Sequence, residues 1–256
     1  MTLAVGIDVG GTKIAAGLVD VERGEVVRSE RLVTAPERGG AAVLADCAGL
    51  AARLGGDGIP VGVGICEVVD RAGQLASAET VEWRDLDVPA AFGGAGVTLE
   101  SDVRAAALAE ARFGAGAGLG SFLHLVVGTG AAACLVVGGR PHRGEHGNAI
   151  ILGAPPVEQV AGGATLGERV HDADARAEAA AAVGRVVAVL VNALDPAAVV
   201  VGGGLGSAPA FVDGIAAALR PAIWCDATRD LPVIPTALGE WGGAIGAALA
   251  AVEAHA

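Results

Sequence analysis

Two apolar runs joined by a small, polar tip constrain this chain more than anything else in it. Leu3 to Ile7 delivers one acid, Asp8, to its end, Gly10 and Gly11 turn the chain, Thr12 and Lys13 follow, and a second apolar run returns from Ile14 to Val19. Short apolar runs bounded by glycine read as strands, so the segment predicts a β-hairpin. Glycines at its tip let backbone N–H groups approach an anion such as phosphate closely. Thr12 adds a hydroxyl donor and Lys13 a positive charge, with a solvated surface lysine as the plain alternative. Asp8 suits Mg²⁺, which takes one or two carboxylates together with phosphate oxygens. The spacing fits neither a Walker A loop nor a G-x-G-x-x-G dinucleotide turn.

The pattern returns in the second half. Phe122–Val127 predicts a strand, Gly128-Thr129-Gly130 a tip, and Ala132–Val137 the returning strand. In the first half the third strand is expected over Glu25–Leu32, a helix over Gly40–Leu54, a buried strand over Val61–Ile65, a strand over Val97–Leu99 and a helix over Val103–Phe113. In the second half a helix is expected over about 175–193, a strand over Ala198–Val201, a helix over Phe211–Leu219, a strand over Val233–Thr236 and a last helix over Trp241–Val252. The duplication implies an α/β protein of two lobes with mixed sheets around a central cleft. The expected division is residues 1–101 plus 240–256 for the N-terminal lobe and 102–239 for the C-terminal lobe, with the last helix packing back on the first.

At 256 residues, 53% of them hydrophobic and 18% charged, the chain can bury a sizeable core. With no tyrosine and 3% aromatics, that core must come from Val, Leu, Ile and Ala. The net charge of −12 argues against nucleic acid as a partner, since its phosphates need a basic face, while a local N–H cradle can still take a nucleotide. The four cysteines lie far apart with no Cys-x-x-Cys pair, as expected of reduced thiols in a cytoplasmic protein. No basic–apolar leader opens the chain, and no apolar run is expected to span a membrane free of Gly, Pro or charge.

Five blocks in order resemble the ROK family, whose kinases phosphorylate glucose and N-acetylated amino sugars. Asp8-Val9-Gly10-Gly11-Thr12-Lys13 is similar to the family's first phosphate loop and Gly128-Thr129-Gly130 to its second. Asp102, ahead of an Ala-rich helix, is similar to its catalytic aspartate. Gly139-Arg140 through His146-Gly147-Asn148-Ala149 resembles the turn into its sugar-contacting loop. Asp195-Pro196 with Gly202-Gly203-Gly204-Leu205 resembles its adenosine segment. The resemblance implies the actin-like, ribonuclease-H-like ATPase fold and a homodimer. It implies ATP and Mg²⁺ as cofactors and a sugar-like acceptor: a hexose, an amino sugar or a cyclitol. Asp102 would be the general base, Asp8 the Mg²⁺ ligand, and Gly10, Gly11, Thr12, Lys13, Gly128, Thr129, Gly130, Gly203 and Gly204 the nucleotide contacts. Ser101, His146, Asn148, Glu158 and Glu67 would be the acceptor contacts.

The departures fall on the acceptor half. Ser101 stands where the family usually has Asn, Cys66-Glu67 where it has Pro-Gly, Ile151 in place of a sugar-binding Glu and Ala154 in place of a zinc-binding His. The cysteine-rich zinc segment is missing, so no zinc site is expected. Each residue has a plainer reading beside the functional one. Asp102 can also be an N-cap, Gly203 and Gly204 a tight turn, and His146 a loop histidine without a ligand. Glu158 reads as a helix cap and Arg104 as a partner of phosphate, Glu100 or Glu110. The rival to a kinase is a nucleotide or sugar sensor that has lost turnover. A repressor is the weaker rival, because its helix-turn-helix domain would precede the first phosphate loop.

Overall fold

The computed structural model describes residues 1–55, 58–93, 96–128, 130–148 and 173–255. Contacts divide the chain into two units: Met1–Phe113, Arg143–Ala149 and Trp241–Ala256 form unit 1, and Gly114–His142 with Ile150–Glu240 form unit 2. In unit 1 the elements are β1 (Leu3–Val9), β2 (Lys13–Asp20), β3 (Glu25–Val33), α1 (Gly40–Leu54), β4 (Val61–Ile65), α2 (Val88–Ala91), β5 (Val97–Ser101) and α3 (Asp102–Phe113). In unit 2 they are β6 (Ser121–Val127), β7 (Ala131–Val137), β8 (Arg140–Pro141), α4 (Ala173–Leu194), β9 (Val199–Gly202), α5 (Gly203–Gly206), α6 (Pro209–Leu219) and β10 (Val233–Pro235). The chain ends in α7 (Gly242–Ala254), back in unit 1.

The sheets repeat one topology. Unit 1 runs β3-β2-β1-β4-β5 and unit 2 runs β8-β7-β6-β9-β10. In each, an antiparallel hairpin is followed by parallel pairing on its other side. Parallel strands covered on both faces should be apolar throughout, and β4 and β9 are buried at every position. The edge strand β3 instead exposes the charged Glu25, Arg28 and Arg31, which discourage edge-to-edge pairing.

Small residues replace aromatics in the packing. A Cβ at Gly6 would lie 1.8 Å from the Ala244 carbonyl oxygen, and one at Gly62 1.8 Å from that of Ala247. A Cβ at Gly246 would lie 1.7 Å from the Ala105 carbonyl oxygen. Helix α7 therefore sits flush on β1, β4 and α3, with dispersion from close backbone approach in place of large side chains. In unit 2, α4 and α6 pack over Leu123, Leu125, Val199 and Val201.

Two expectations change. Helix α3 and residues 143–149 cluster with unit 1 rather than with the second lobe, because α3 packs along α7 and the 143–148 segment is bonded to α3. The short helices α2 and α5 were hidden by Pro and Gly, which weaken a helical pattern four residues long. Helix α4 is long and apolar enough, at a mean hydropathy of 1.6, to match a membrane span by length and composition, and Gly184 and Arg185 interrupt its apolar run as expected. Val183, Val187 and Val191 along it are nevertheless buried in the unit 2 core.

Candidate active site

Strand register builds one end of the unit 1 sheet. Val9 aligns with Ile65 on β4, and Ile65 with Ser101 on β5. The three parallel strands thus finish together, and Asp8, Cys66 and Asp102 emerge at their C-terminal ends. That end of a parallel α/β sheet is where ligands bind. The β1–β2 tip closes through Gly10 N–H donating to the Lys13 carbonyl at 3.0 Å. Thr34, fully buried, braces it by donating its hydroxyl to the Gly10 carbonyl (2.7 Å) and its N–H to that of Thr12 (3.1 Å). Thr12 and Lys13 remain exposed beyond this brace. The first turn of α7 presses on Asp8: a Cβ at Gly243 would meet its carboxylate at 2.5 Å.

The acids at this end share a strained electrostatic environment. Burial pushes Asp8 up to about 6, against the opposing charge of Lys13. Burial, then the neighbouring Asp8, and more weakly Glu67, push Asp102 up to about 7. Hydrogen bonds from Val103 N–H (2.7 Å) and Ser101 hold Asp102 below where it would otherwise go. Asp102 therefore meets its helix's backbone and also keeps a proton affinity near neutrality, so the cap and the base readings are compatible. Burial and Asp102 push the Cys66 thiol up to about 12, which leaves it protonated and unsuited to act as a nucleophile.

Glu67 departs from its expected role. Its buried carboxylate accepts from Ser77 Oγ (2.6 Å) and from the N–H groups of Glu79 (3.0 Å), Thr80 (2.6 Å) and Val81 (3.1 Å). Four donors use both oxygens, so Glu67 organises the 77–81 loop instead of offering itself to an acceptor. What it displays is Thr80, exposed, whose methyl would lie 3.3 Å from a Cβ at Gly11. Sequence reading missed Thr80 and Thr34 because neither lies in a glycine-marked block.

Arg104 also resolves to one of its alternatives. Its Nε donates to Glu100 Oε1 at 2.6 Å, Nη2 to the Val69 carbonyl at 2.5 Å, and Nη1 to the Gly147 carbonyl. Glu100 also accepts from Ser101 N–H (2.8 Å) and from Arg143 Nη2. Arg104 is 1% exposed, and this network meets all of its charge within the protein. His146 and Asn148 flank the bonded Gly147 and are both exposed, while Ser101 is buried beside Asp102.

In unit 2, Gly128 N–H donates to the Gly130 carbonyl at 2.8 Å, closing the second tip. Val126 on β6 aligns with Gly202 on β9, which puts the tip beside Gly203 and Gly204. Gly203 has φ +83°, and a Cβ there would meet the Val127 carbonyl oxygen at 2.4 Å, so only glycine fits. Thr129 and Glu158, like the Ile151 and Ala154 departures, lie outside the described residues. Among the described residues, no group of three or more His, Cys, Asp or Glu side chains is gathered to hold a metal.

The sequence model of the ROK family matches residues 4–161 and 158–254. The chain is 34% identical to a glucokinase of Streptomyces coelicolor over 159 residues, 60% of this chain and 49% of that protein. It spans about half the length of the first curated relatives it matches. It is 29% identical to a polyphosphate glucokinase of Mycobacterium tuberculosis over 96% of this chain and 90% of the relative. The crystal structure of a ROK family glucokinase from Streptomyces griseus, in complex with glucose and AMPPNP, superposes with a TM-score of 0.81 at 26% identity, covering 98% of this chain and 99% of that one. This likeness bears out the expected actin-like α/β fold class, with its two mixed sheets.

Proposed function

The chain belongs to the ROK family, and from that premise we propose that it is an ATP-dependent phosphotransferase acting on a hydroxyl of a sugar or sugar-like acceptor, with Asp102 as general base. One observation carries the reading: a carboxylate held up to about 7 by burial and a second acid, at the C-terminal end of parallel strands beside a glycine tip. A base works best with a proton affinity near the operating pH. The acceptor hydroxyl gives its proton to the Asp102 carboxylate as its oxygen bonds to the γ-phosphorus. The bond from that phosphorus to the β–γ bridging oxygen breaks, and ADP leaves with the electron pair. Phosphoryl transfer needs positioning and charge neutralisation more than covalent help. Gly10, Gly11, Thr12 and Lys13 are the phosphate contacts of unit 1; Gly128, Thr129, Gly130, Gly203 and Gly204 are the nucleotide contacts of unit 2.

The donor set fits Mg²⁺, which asks for one or two protein carboxylates, and among the described residues no cluster cages an ion. Asp8 would hold it, and when bound it neutralises charge on the transferring phosphoryl group. The acceptor contacts of this reading are Ser101, His146, Asn148 and Glu158, with Thr80 added. The S. griseus complex with glucose and AMPPNP supports a hexose and ATP. The polyphosphate glucokinase relative adds polyphosphate as a second donor to try.

Coupled ADP release across glucose, mannose, N-acetylated amino sugars and inositol tests this, with Asp102→Asn as control. Turnover of at least one acceptor that the variant abolishes is the expected result. Equal inactivity of both proteins on every acceptor and donor overturns it. Saturable nucleotide binding alongside that inactivity would point to the sensor.

A further inference from the structure

Arg104 lies in the first turn of α3 and shares no hydrogen bond with Asp102, yet its guanidinium ties together three separate pieces of chain. Nε meets Glu100 at the end of β5, Nη2 meets the carbonyl of Val69 in the turn after β4, and Nη1 meets the carbonyl of Gly147. The two carbonyls come from strands of chain in tight apposition. Gly147 has φ +77°, and a Cβ on it would lie 2.3 Å from the Val69 carbonyl oxygen. Two carbonyl dipoles this close repel unless a cation lies between them, and a planar fork can donate to both at once. Glu100 holds the fork in place, itself fixed by Ser101 N–H and Arg143. Gly147 is buried at this anchor while His146 and Asn148 stand exposed on either side of it.

We propose that Arg104 is a positioning residue for the acceptor: it fixes the 143–148 segment to the strand end that carries Asp102, and so sets where His146 and Asn148 present themselves to the accepting sugar. The inference rests on the kinase reading and adds to it the device that orients its acceptor contacts. The charge of Arg104 is spent on Glu100 and the two carbonyls, and the groups that shift Asp102 are Asp8, Val103, Glu67 and Ser101. The role is therefore geometric. It governs acceptor binding and leaves the base's own titration alone.

The test compares wild type with Arg104→Lys and with the double variant Glu100→Gln/Arg104→Met. The lysine keeps the charge but cannot bridge three partners. The double variant removes both buried charges, so neither is left unpaired to prevent folding. With the sugar that wild type phosphorylates, both variants are expected to raise the acceptor KM about tenfold or more. AMPPNP affinity and the midpoint of the pH–kcat profile should stay at their wild-type values. Hydrogen exchange should quicken at amides 143–148 and remain unchanged in β1 and α1. Wild-type acceptor KM and wild-type exchange in both variants overturn the proposal, as does a parallel loss of AMPPNP affinity. A wild type that turns over no sugar refutes the kinase reading itself; exchange in the 143–148 segment then still decides whether Arg104 is a tether, and the acceptor role falls.

Discussion

An ionised Asp102 must coexist with Asp8 and, at greater remove, Glu67, and burial adds to the cost of its charge. The consequence for stability follows from the direction of the shift. A carboxyl whose folded pKa exceeds its unfolded one binds protons more strongly when folded. Its favourable contribution is complete below the ordinary carboxylate range near 4 and is lost as pH rises through about 6 for Asp8 and about 7 for Asp102. Without ligand, the protein is therefore expected to be more stable at pH 5 than at pH 8. Asp102→Asn removes one of these titrations. Thermal melts should show it matching wild type near pH 4 and exceeding it by up to about 4 kcal/mol at pH 8; a variant less stable at pH 8 would count against the repulsion described here. The same substitution should lower kcat by about 10²–10⁴-fold. Wild-type kcat/KM should rise about tenfold per pH unit and level off above about pH 7. A profile flat from pH 5 to 8 would exclude Asp102 as the titrating base.

At the scale of elements, the flush contact of α7 with β1, β4 and α3 makes its glycines structural. Gly246→Ala forces a methyl onto the Ala105 carbonyl and should cost about 1–3 kcal/mol or more, read from the thermal midpoint. Gly120→Ala, with open space around its Cβ, should stay within about 0.5 kcal/mol. Similar costs for the two would contradict the packing. The 77–81 loop makes a comparable case. Glu67→Gln turns one of two fully used acceptors into an N–H donor facing other donors, and should cost about 1–3 kcal/mol while speeding proteolysis within 77–81. Strands such as β1, β2, β4 and β6 were legible in the sequence because burial imposes short runs of apolar and small residues. Asp8 was legible because it follows such a run, and Asp102 through the resemblance of its block, ahead of an Ala-rich helix, to the ROK family. Glu67 was not, since one acid in an irregular loop carries no mark of where its oxygens point. Arg104 was legible only as a choice of partners, because two of its three acceptors are backbone carbonyls that any residue could supply. The place of α3 in unit 1 depends on a helix well over a hundred residues later in the chain, which no local pattern encodes.

Across the whole molecule, the duplicated topology repeats one device. In each unit a glycine tip follows the first hairpin strand and lies beside the end of a parallel strand. The units differ in what surrounds it. Unit 1 adds the acids Asp8, Glu67 and Asp102 at that end, whereas unit 2 offers Gly202 and Gly203. An overall charge of −12 makes the acids of unit 1 still less welcoming to a bare triphosphate, so binding should be coupled to the proton balance of those carboxylates. A divalent cation arriving with the nucleotide favours the ionised form of the acids near it and thereby displaces protons. Between about pH 6 and 7, where Asp8 and Asp102 are partly protonated, Mg²⁺–AMPPNP binding should release protons. Calorimetry in buffers of different ionisation enthalpy should register that release, and it should fade by pH 8.5. Without ligand, stability falls as pH rises. At one fixed Mg²⁺–AMPPNP concentration, about a hundred times its Kd at pH 5.5, stabilisation of about 2.7 kcal/mol is expected at pH 5.5 and more at pH 8. Asp102→Asn should reduce the proton release while keeping nucleotide affinity measurable. Binding with no proton release in any buffer would separate the carboxylates from the nucleotide and leave the glycine tip as an ordinary turn.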